Sequence, residues 1–282
     1  MEKQGTKLKR SAKALIFVGF VSIAVSFLAY WGNQHTIVTP AAMPPLQRLA
    51  VATYAVLLLS FGAISLGLYR FYKTKIASSD NSVSSLIASA ISNKRGRQIF
   101  IASFIGYGLF FAFTSGMILY KPELKATDFG FPTPPYAELS PCCGPPGNMP
   151  MFLAFFTEHV GLQVIPFNLV LLVIVSFLVS ANFVLFSKTF ELTRKKGSLG
   201  VVGAGTGLFA GCPTCAGTAF FLITGLWSSA GATATTLFLT TYQVQLQSLF
   251  LIISIPILAI TPLIMTRNIR KSQMGSCALD QK

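Results

Sequence analysis

The sequence has little charge and few cysteines. Only 11% of its 282 residues are charged, whereas soluble domains average roughly 25%. From residue 197 to residue 266 there is no Asp, Glu, Lys, Arg or His, and hydrophobic residues make up 52% of the chain. The five cysteines are too few for a disulfide scaffold. This composition excludes an ordinary soluble domain and predicts an integral membrane protein.

Familiar catalytic motifs are also missing. The sequence contains no phosphate-binding P-loop, no G-x-S-x-G elbow, no H-E-x-x-H helix and no dinucleotide-binding fingerprint, which are the usual signs of nucleotide-dependent or hydrolytic enzymes. The interiors of the predicted spans carry no Asp, Glu, Lys, Arg or His. The residues that usually relay protons or couple ions in transporters are therefore absent.

What is present is a series of apolar runs, each long enough to cross a bilayer. They predict an all-α fold, a single polytopic helical bundle over residues 1–282 with about six transmembrane helices. The predicted spans are 13–31, 49–71, 99–120, 164–186, 199–226 and 248–266.

The positive charges predict the orientation of these spans. The formal net charge is +14, but the charges lie in short connections and not on a basic face, so nucleic acid is not an expected partner and the lipid bilayer is. With six spans, one side of the membrane receives 19 of the 22 Lys and Arg residues. By the positive-inside rule, we expect a multi-pass cell-membrane protein with both termini cytoplasmic.

Three connecting segments have their own character. Apolar residues between positions 83 and 91 recur at helical spacing, which favours a short amphipathic helix on the membrane surface, although a disordered Ser-rich linker is the alternative. Residues 121–150 hold eight of the 15 prolines and are predicted to form an extended outer loop. Residues 151–162 are apolar but include Glu158 and His159, which indicates an interfacial segment leading into the fourth span.

The fifth span contains the dithiol motif Cys212-Pro213-Thr214-Cys215. Because Pro213 lacks an N–H group, the helix is either continuous with a defect or broken near residue 211. In the broken form the thiols lie at a helix N-terminus, which favours thiolate, whereas burial in hydrocarbon opposes it. Cys212 and Cys215 are candidate redox residues, and the alternative is that both are small packing residues.

A stripe of small residues precedes this motif on the same segment. Gly203, Gly207 and Gly211 recur every fourth position, so in a helix they form one smooth face. We expect this face to let a neighbouring helix approach closely.

A second pair of cysteines lies in the outer loop. Cys142 and Cys143 are adjacent, and adjacent cysteines form a strained disulfide or act together as soft ligands. Met149, Met151 and His159 follow, and with the cysteines they make a candidate site for Cu(I) or another soft cation.

The two pairs resemble, in their layout, membrane thiol–disulfide oxidoreductases of the vitamin K epoxide reductase and cytochrome c biogenesis types, which pair loop cysteines with cysteines in spans. The Cys142-Cys143-Gly144-Pro145 run resembles the vicinal cysteines of mercuric-ion transport proteins. The chain as a whole looks like uncharacterised multi-span prokaryotic membrane proteins that combine an outer CC pair with an intramembrane GCxxC. The first resemblance implies electron transfer between protein thiols and a quinone or a thiol-bearing protein partner.

Three functions follow as alternatives. The first is a thiol–disulfide relay with Cys142, Cys143, Cys212 and Cys215 as its catalytic residues. The second is a soft-metal carrier, and the third is a non-catalytic subunit that associates with other membrane subunits. The relay is preferred because it needs only the two pairs, whereas a carrier should show ligands along its path.

Overall fold

The computed structural model describes residues 2–32, 43–77, 83–120, 125, 127, 130–144, 149–194, 255–256 and 258–263. These residues are mostly helical, with one small sheet. The helices are α1 (Glu2–Gly32), α2 (Met43–Ala77), α3 (Val83–Ser92), α4 (Lys94–Thr114) and α5 (Pro166–Arg194). The strands are β1 (Ile118–Tyr120), β2 (Tyr136–Gly144), β3 (Met149–Phe155) and β4 (Val160–Val164).

The chain folds as two units. One consists of Met1–Asp80 and Gly108–Val173, and the other of Asn81–Tyr107 and Ile174–Lys282. The first unit contains the α1–α2 pair and the sheet. The second contains α3 and the larger part of α5.

Helices α1 and α2 pack closely because glycine lies at their contact. A Cβ added at Gly67 would lie 2.7 Å from the side chain of Ile16 and 3.0 Å from the carbonyl oxygen of Ala12. A Cβ at Gly19 would lie 2.5 Å from the side chain of Ile64. The early part of α1 thus meets the late part of α2, so the two helices run antiparallel, and small residues allow their backbones to approach.

The outward faces of the long helices are apolar. Phe17 of α1 is 69% exposed and Leu59 of α2 is 74% exposed. Among the described residues, four helices are long and apolar enough to cross a membrane: Arg10–Trp31, Met43–Ile76, Lys94–Phe113 and Pro166–Lys188. Because the rest of the protein leaves most residues of the first three uncovered, hydrocarbon is the medium that suits them.

The sheet corrects the expectation of an all-α fold. Its strands are all antiparallel and lie in the order β1-β4-β3-β2. Residues 151–162, expected as an interfacial lead-in, form most of β3 and part of β4. The run Met149–Phe155 is wholly apolar, without the alternation that marks a half-buried strand, so the local pattern did not distinguish it from the start of a helix.

The third predicted span ends earlier than expected. Helix α4 stops at Thr114, and Gly116 follows with a φ of 72°, a left-handed conformation that commonly ends helices. The amide of Gly116 donates to the carbonyl of Phe113 at 3.2 Å. The chain then enters β1, so residues expected at the end of a span pair with β4 instead.

In the second unit, α5 packs against residues 255–263. Val175 and Val179 of α5 form a buried cluster with Leu258. The Asn182 side-chain amide donates to the carbonyl of Leu258 at 3.0 Å. Pro262 lies four residues after Leu258, and because it has no N–H it cannot serve that carbonyl as a helix normally would. Asn182 supplies the missing donor.

Helix α3 forms where the apolar spacing predicts a helix. This helix also contacts protein, because its Ala90 is buried against Val184 and Leu185 of α5. Its apolar face is therefore covered at least partly by protein.

Candidate functional site

The outer cysteine pair lies within an irregular part of the sheet. On one side of it Ser140 pairs with Met151, and on the other side Gly144 pairs with Met149. Three residues of β2, 141–143, thus stand opposite the single residue Pro150. A bulge of this kind leaves the extra residues outside the regular ladder.

Two prolines explain why the ladder breaks at this point. Pro141 and Pro150 face the same gap and neither has an N–H group, so neither can donate a hydrogen bond across the strands. The Cys142-Cys143 pair directly follows Pro141. The sequence therefore places the backbone of both cysteines where β2 cannot pair normally.

Two tyrosines from the helices bind the backbone on either side of the bulge. The hydroxyl of Tyr30, near the end of α1, donates to the carbonyl of Pro141. The hydroxyl of Tyr54, on α2, donates to the carbonyl of Val164 at 2.6 Å and accepts from the amide of Phe152 at 3.2 Å. We call Tyr30 and Tyr54 the tyrosine clamp.

The tyrosine clamp also indicates how the sheet is placed along the helices. Tyr54 lies five residues inside the predicted second span, which at the rise of a helix is roughly 8 Å from the start of that span. Its hydroxyl also lies 3.3 Å from the carbonyl of Pro150, and Pro150 is fully buried. The bulged end of the sheet therefore lies beside α2, and the opposite end projects away from this contact.

Both methionines of the candidate metal site flank the bulge. Met149 and Met151 are the β3 partners of the residues on either side of it. They are two positions apart on one strand, a spacing that places side chains on the same face of a sheet. Met149 is only 6% exposed. The structure thus brings the backbones of two of the three predicted accessory ligands next to the cysteine pair.

His159 is not brought to the pair. It lies in the turn between β3 and β4, nine residues after Pro150, and the five strand steps from Pro150 to Phe155 alone cover roughly 17 Å. In this turn the Thr157 hydroxyl accepts from the amides of His159 at 3.4 Å and Val160 at 3.1 Å. Within the part of the chain that the structure describes, no three His, Cys, Asp or Glu residues form a metal cluster.

The end of the sheet remote from the bulge is polar. Glu158 accepts a hydrogen bond from Thr127 at 3.4 Å. Tyr136 donates to Glu138, and this hydrogen bond raises the pKa of Tyr136 because it stabilises the protonated phenol. The sheet thus changes from a polar end to a buried apolar end that holds the cysteine pair.

Several predicted residues lie outside the described residues. They are the inner pair, Cys212 and Cys215, and the glycines of the predicted packing stripe, Gly203, Gly207 and Gly211.

The tyrosine clamp was not anticipated from the sequence. Neither Tyr30 nor Tyr54 belongs to a motif that the sequence makes visible. Two prolines close to the cysteines were the available signal, because they leave backbone carbonyls that need donors from elsewhere.

No protein-family model, no curated protein and no solved structure matches this chain. The functional assignment therefore rests on the chemistry and geometry of the residues themselves.

Proposed function

We propose that the chain is a six-span membrane protein with both termini in the cytoplasm and the Cys142-Cys143 strand on the outer side. The four long apolar helices support the first four spans. The absence of charge between residues 197 and 266 provides enough apolar chain for two more. The 19 Lys and Arg residues assigned to one side support the orientation.

Within this topology, the function that we favour is a thiol–disulfide relay across the outer half of the membrane. A thiolate of one pair attacks the disulfide of the other, and a mixed disulfide forms while one thiolate leaves. The second thiol of the attacking pair then resolves the mixed disulfide. One pair is oxidised and the other reduced, with two electrons and two protons transferred in total.

The observation that supports this proposal is the hydrogen bonding of Tyr54 on α2 to the bulged end of the sheet. Tyr54 holds the bulged end of the sheet roughly 8 Å inside the predicted second span. Cys212 lies 13 residues into the fifth predicted span, or roughly 20 Å from its cytoplasmic end, in a hydrocarbon core of about 30 Å. With six spans in the proposed orientation, these counts support a similar depth for the two pairs, although one belongs to a loop and the other to a span.

The relay needs a redox partner at each end, one that donates two electrons and one that accepts them. A membrane quinone suits the inner pair, because it dissolves in the bilayer, and a thiol-bearing protein suits the outer pair, because it approaches from the aqueous side. These partner classes follow from the two locations and from the layout shared with membrane thiol–disulfide oxidoreductases.

The proposal is tested by following the redox state of the outer pair in intact membranes. The free thiols of Cys142 and Cys143 are counted by a mass-tagged maleimide in a Cys277→Ser background, before and after the Cys212→Ser and Cys215→Ser changes. A relay predicts that loss of the inner pair shifts the outer pair strongly toward one redox state. An unchanged redox state contradicts the relay.

A soft-metal site is the second candidate function, because the strand register places Met149 and Met151 beside the cysteine pair. Two thiolates with one or two thioethers form a ligand set that suits Cu(I). Met149→Leu with Met151→Leu should weaken Cu(I) binding, measured by competition with a chromogenic chelator, whereas His159→Ala should not. If all variants bind Cu(I) like the wild type, the methionines are not ligands.

The third hypothesis, a non-catalytic subunit, predicts no change in either the redox-state assay or the Cu(I) competition assay. Its cysteines only pack, so their replacement alters neither the redox state of a partner thiol nor metal binding. Retention of wild-type behaviour in a growth assay after Cys→Ser changes at both pairs would favour it.

A further inference from the structure

A tight corner joins α3 to α4 in the second unit. The amide of Arg97 donates to the carbonyl of Asn93 at 2.9 Å, so Asn93 begins the first turn of α4. A Cβ at Gly96 would overlap the carbonyl oxygen of Ala90, so glycine is required where the two helices meet. The corner is therefore fixed by backbone contacts.

Four cations come together around this corner. Lys94, Arg95 and Arg97 all lie in the first turn of α4 and are exposed. Lys188 of α5 joins them, because its ammonium lies 3.5 Å from the hydroxyl of Ser89 on α3. We call Lys94, Arg95, Arg97 and Lys188 the basic corner.

The basic corner lies at a membrane boundary on two independent helices. One candidate span, Lys94–Phe113, begins there, and another, Pro166–Lys188, ends there. Helices α4 and α5 run antiparallel, because Phe100 contacts Phe177 and the later residue Tyr107 packs near the earlier residue Val175. The start of the α4 span and the end of the α5 span therefore lie at the same side of the membrane. Phospholipid headgroups lie at this boundary.

The electrostatics of the corner favour an anion. Three cations in the first turn of a helix oppose the positive end of its dipole, so a bound anion would be stabilising there. Helices α3 and α4 contain no Asp or Glu, and the one acidic residue of α5 is Glu191, three positions after Lys188. The first-turn amides of α4 add hydrogen-bond donors to the same place.

From these observations we propose that the basic corner binds the headgroup phosphate of an anionic phospholipid. The apolar spans beneath it accommodate the acyl chains, and the four cations bind the headgroup. Basic pockets between membrane helices are known to select anionic lipids by this chemistry. The proposal concerns the second unit and does not depend on the chemistry of the cysteine pairs.

The test compares binding of phosphatidylglycerol and phosphatidylcholine to the full-length protein by native mass spectrometry. Lys94→Gln with Arg97→Gln removes two cations from the corner. Arg48→Gln with Arg70→Gln removes two exposed cations from α2 and serves as the matched control. We expect the first variant to lose affinity for phosphatidylglycerol on the order of tenfold, with phosphatidylcholine binding unchanged and the control variant like the wild type.

Equal phosphatidylglycerol binding by the two variants overturns the proposal. A second measurement uses the wild type and so does not depend on the folding of the corner variant. Added KCl should release phosphatidylglycerol selectively, and salt-insensitive binding also overturns the proposal. Excess inorganic phosphate forms the last arm. Complete displacement of the lipid by phosphate would assign the corner to a free anion and not to a lipid.

Discussion

The tyrosine clamp offers a sharp test of how the outer cysteine pair is positioned. Tyr54→Phe removes one oxygen atom and leaves the ring that packs beside the sheet. The carbonyl of Val164 loses a donor at 2.6 Å and the amide of Phe152 loses an acceptor at 3.2 Å. The carbonyl of Pro150, at 3.3 Å, is not counted, because the single hydroxyl proton serves the nearer carbonyl.

The size of the effect follows from these two lost hydrogen bonds. A buried backbone group left without a partner costs about 1–3 kcal/mol. Both contacts are only partly buried, so each group lies at the lower end of that range. The expected loss in free energy of unfolding is therefore about 2 kcal/mol.

Two measurements distinguish this local effect from general destabilisation. Thermal unfolding in detergent reports the stability, and the rate of maleimide labelling at Cys142 and Cys143 reports the order of the bulge. Labelling is measured in a background where the other three cysteines are replaced by serine. Tyr54→Phe should lower the unfolding temperature and accelerate labelling.

Tyr69→Phe is the matched control, because Tyr69 is on the same helix and is 65% exposed. It should behave like the wild type in both assays. If Tyr54→Phe also matches the wild type in stability and labelling rate, the clamp does not position the bulge, and the depth argument for the relay loses its support.

Two further changes test the helix packing. Gly67→Ala should separate α1 from α2 and lower the unfolding temperature, because the new Cβ lies 2.7 Å from the side chain of Ile16. Gly62→Ala is the control: its Cβ has no atom within 4 Å, so this change should be neutral or stabilise the protein by up to about 1 kcal/mol. Equal unfolding temperatures for the two variants would refute the close contact. Asn182→Leu should lower the free energy of unfolding, measured by denaturant titration, by about 1 kcal/mol, because it leaves the Leu258 carbonyl without its side-chain donor. An unfolding free energy equal to that of the wild type would show that this hydrogen bond contributes nothing.

The helical part of the fold was accessible from the sequence because its signal is local. Charge-free apolar runs and flanking Lys and Arg residues predicted helices where α1, α2 and α5 lie. The end of α4 was missed, since Gly116 reads equally well as a packing glycine inside a span and as the left-handed residue that ends a helix.

The clamp and the pairing of β1 with β4 could not be predicted, because they depend on contacts between residues far apart in the chain. The two hairpins of the sheet are local, but their apolar strands lack the alternation that would distinguish them from helix. Tyr54 meets Val164 across 110 positions of sequence, and no periodicity reports such a contact. The candidate metal site shows the same limit. Spacing alone grouped Met149, Met151 and His159, whereas the β3–β4 hairpin keeps the methionines near the cysteine pair and carries the histidine away from it.

The central claim is that the outer and inner cysteine pairs exchange disulfides, and a cross-link between them tests it most directly. Four double variants, each keeping one cysteine of Cys142-Cys143 and one of Cys212 and Cys215, are made in a Cys277→Ser background and oxidised mildly in membranes. Removal of the resolving thiol traps the mixed disulfide. The relay predicts, in at least one variant, a reductant-sensitive cross-link between the pairs that mass spectrometry locates. Free thiols in all four variants, with tight Cu(I) binding by the wild type, would contradict the relay and assign the outer pair to metal binding.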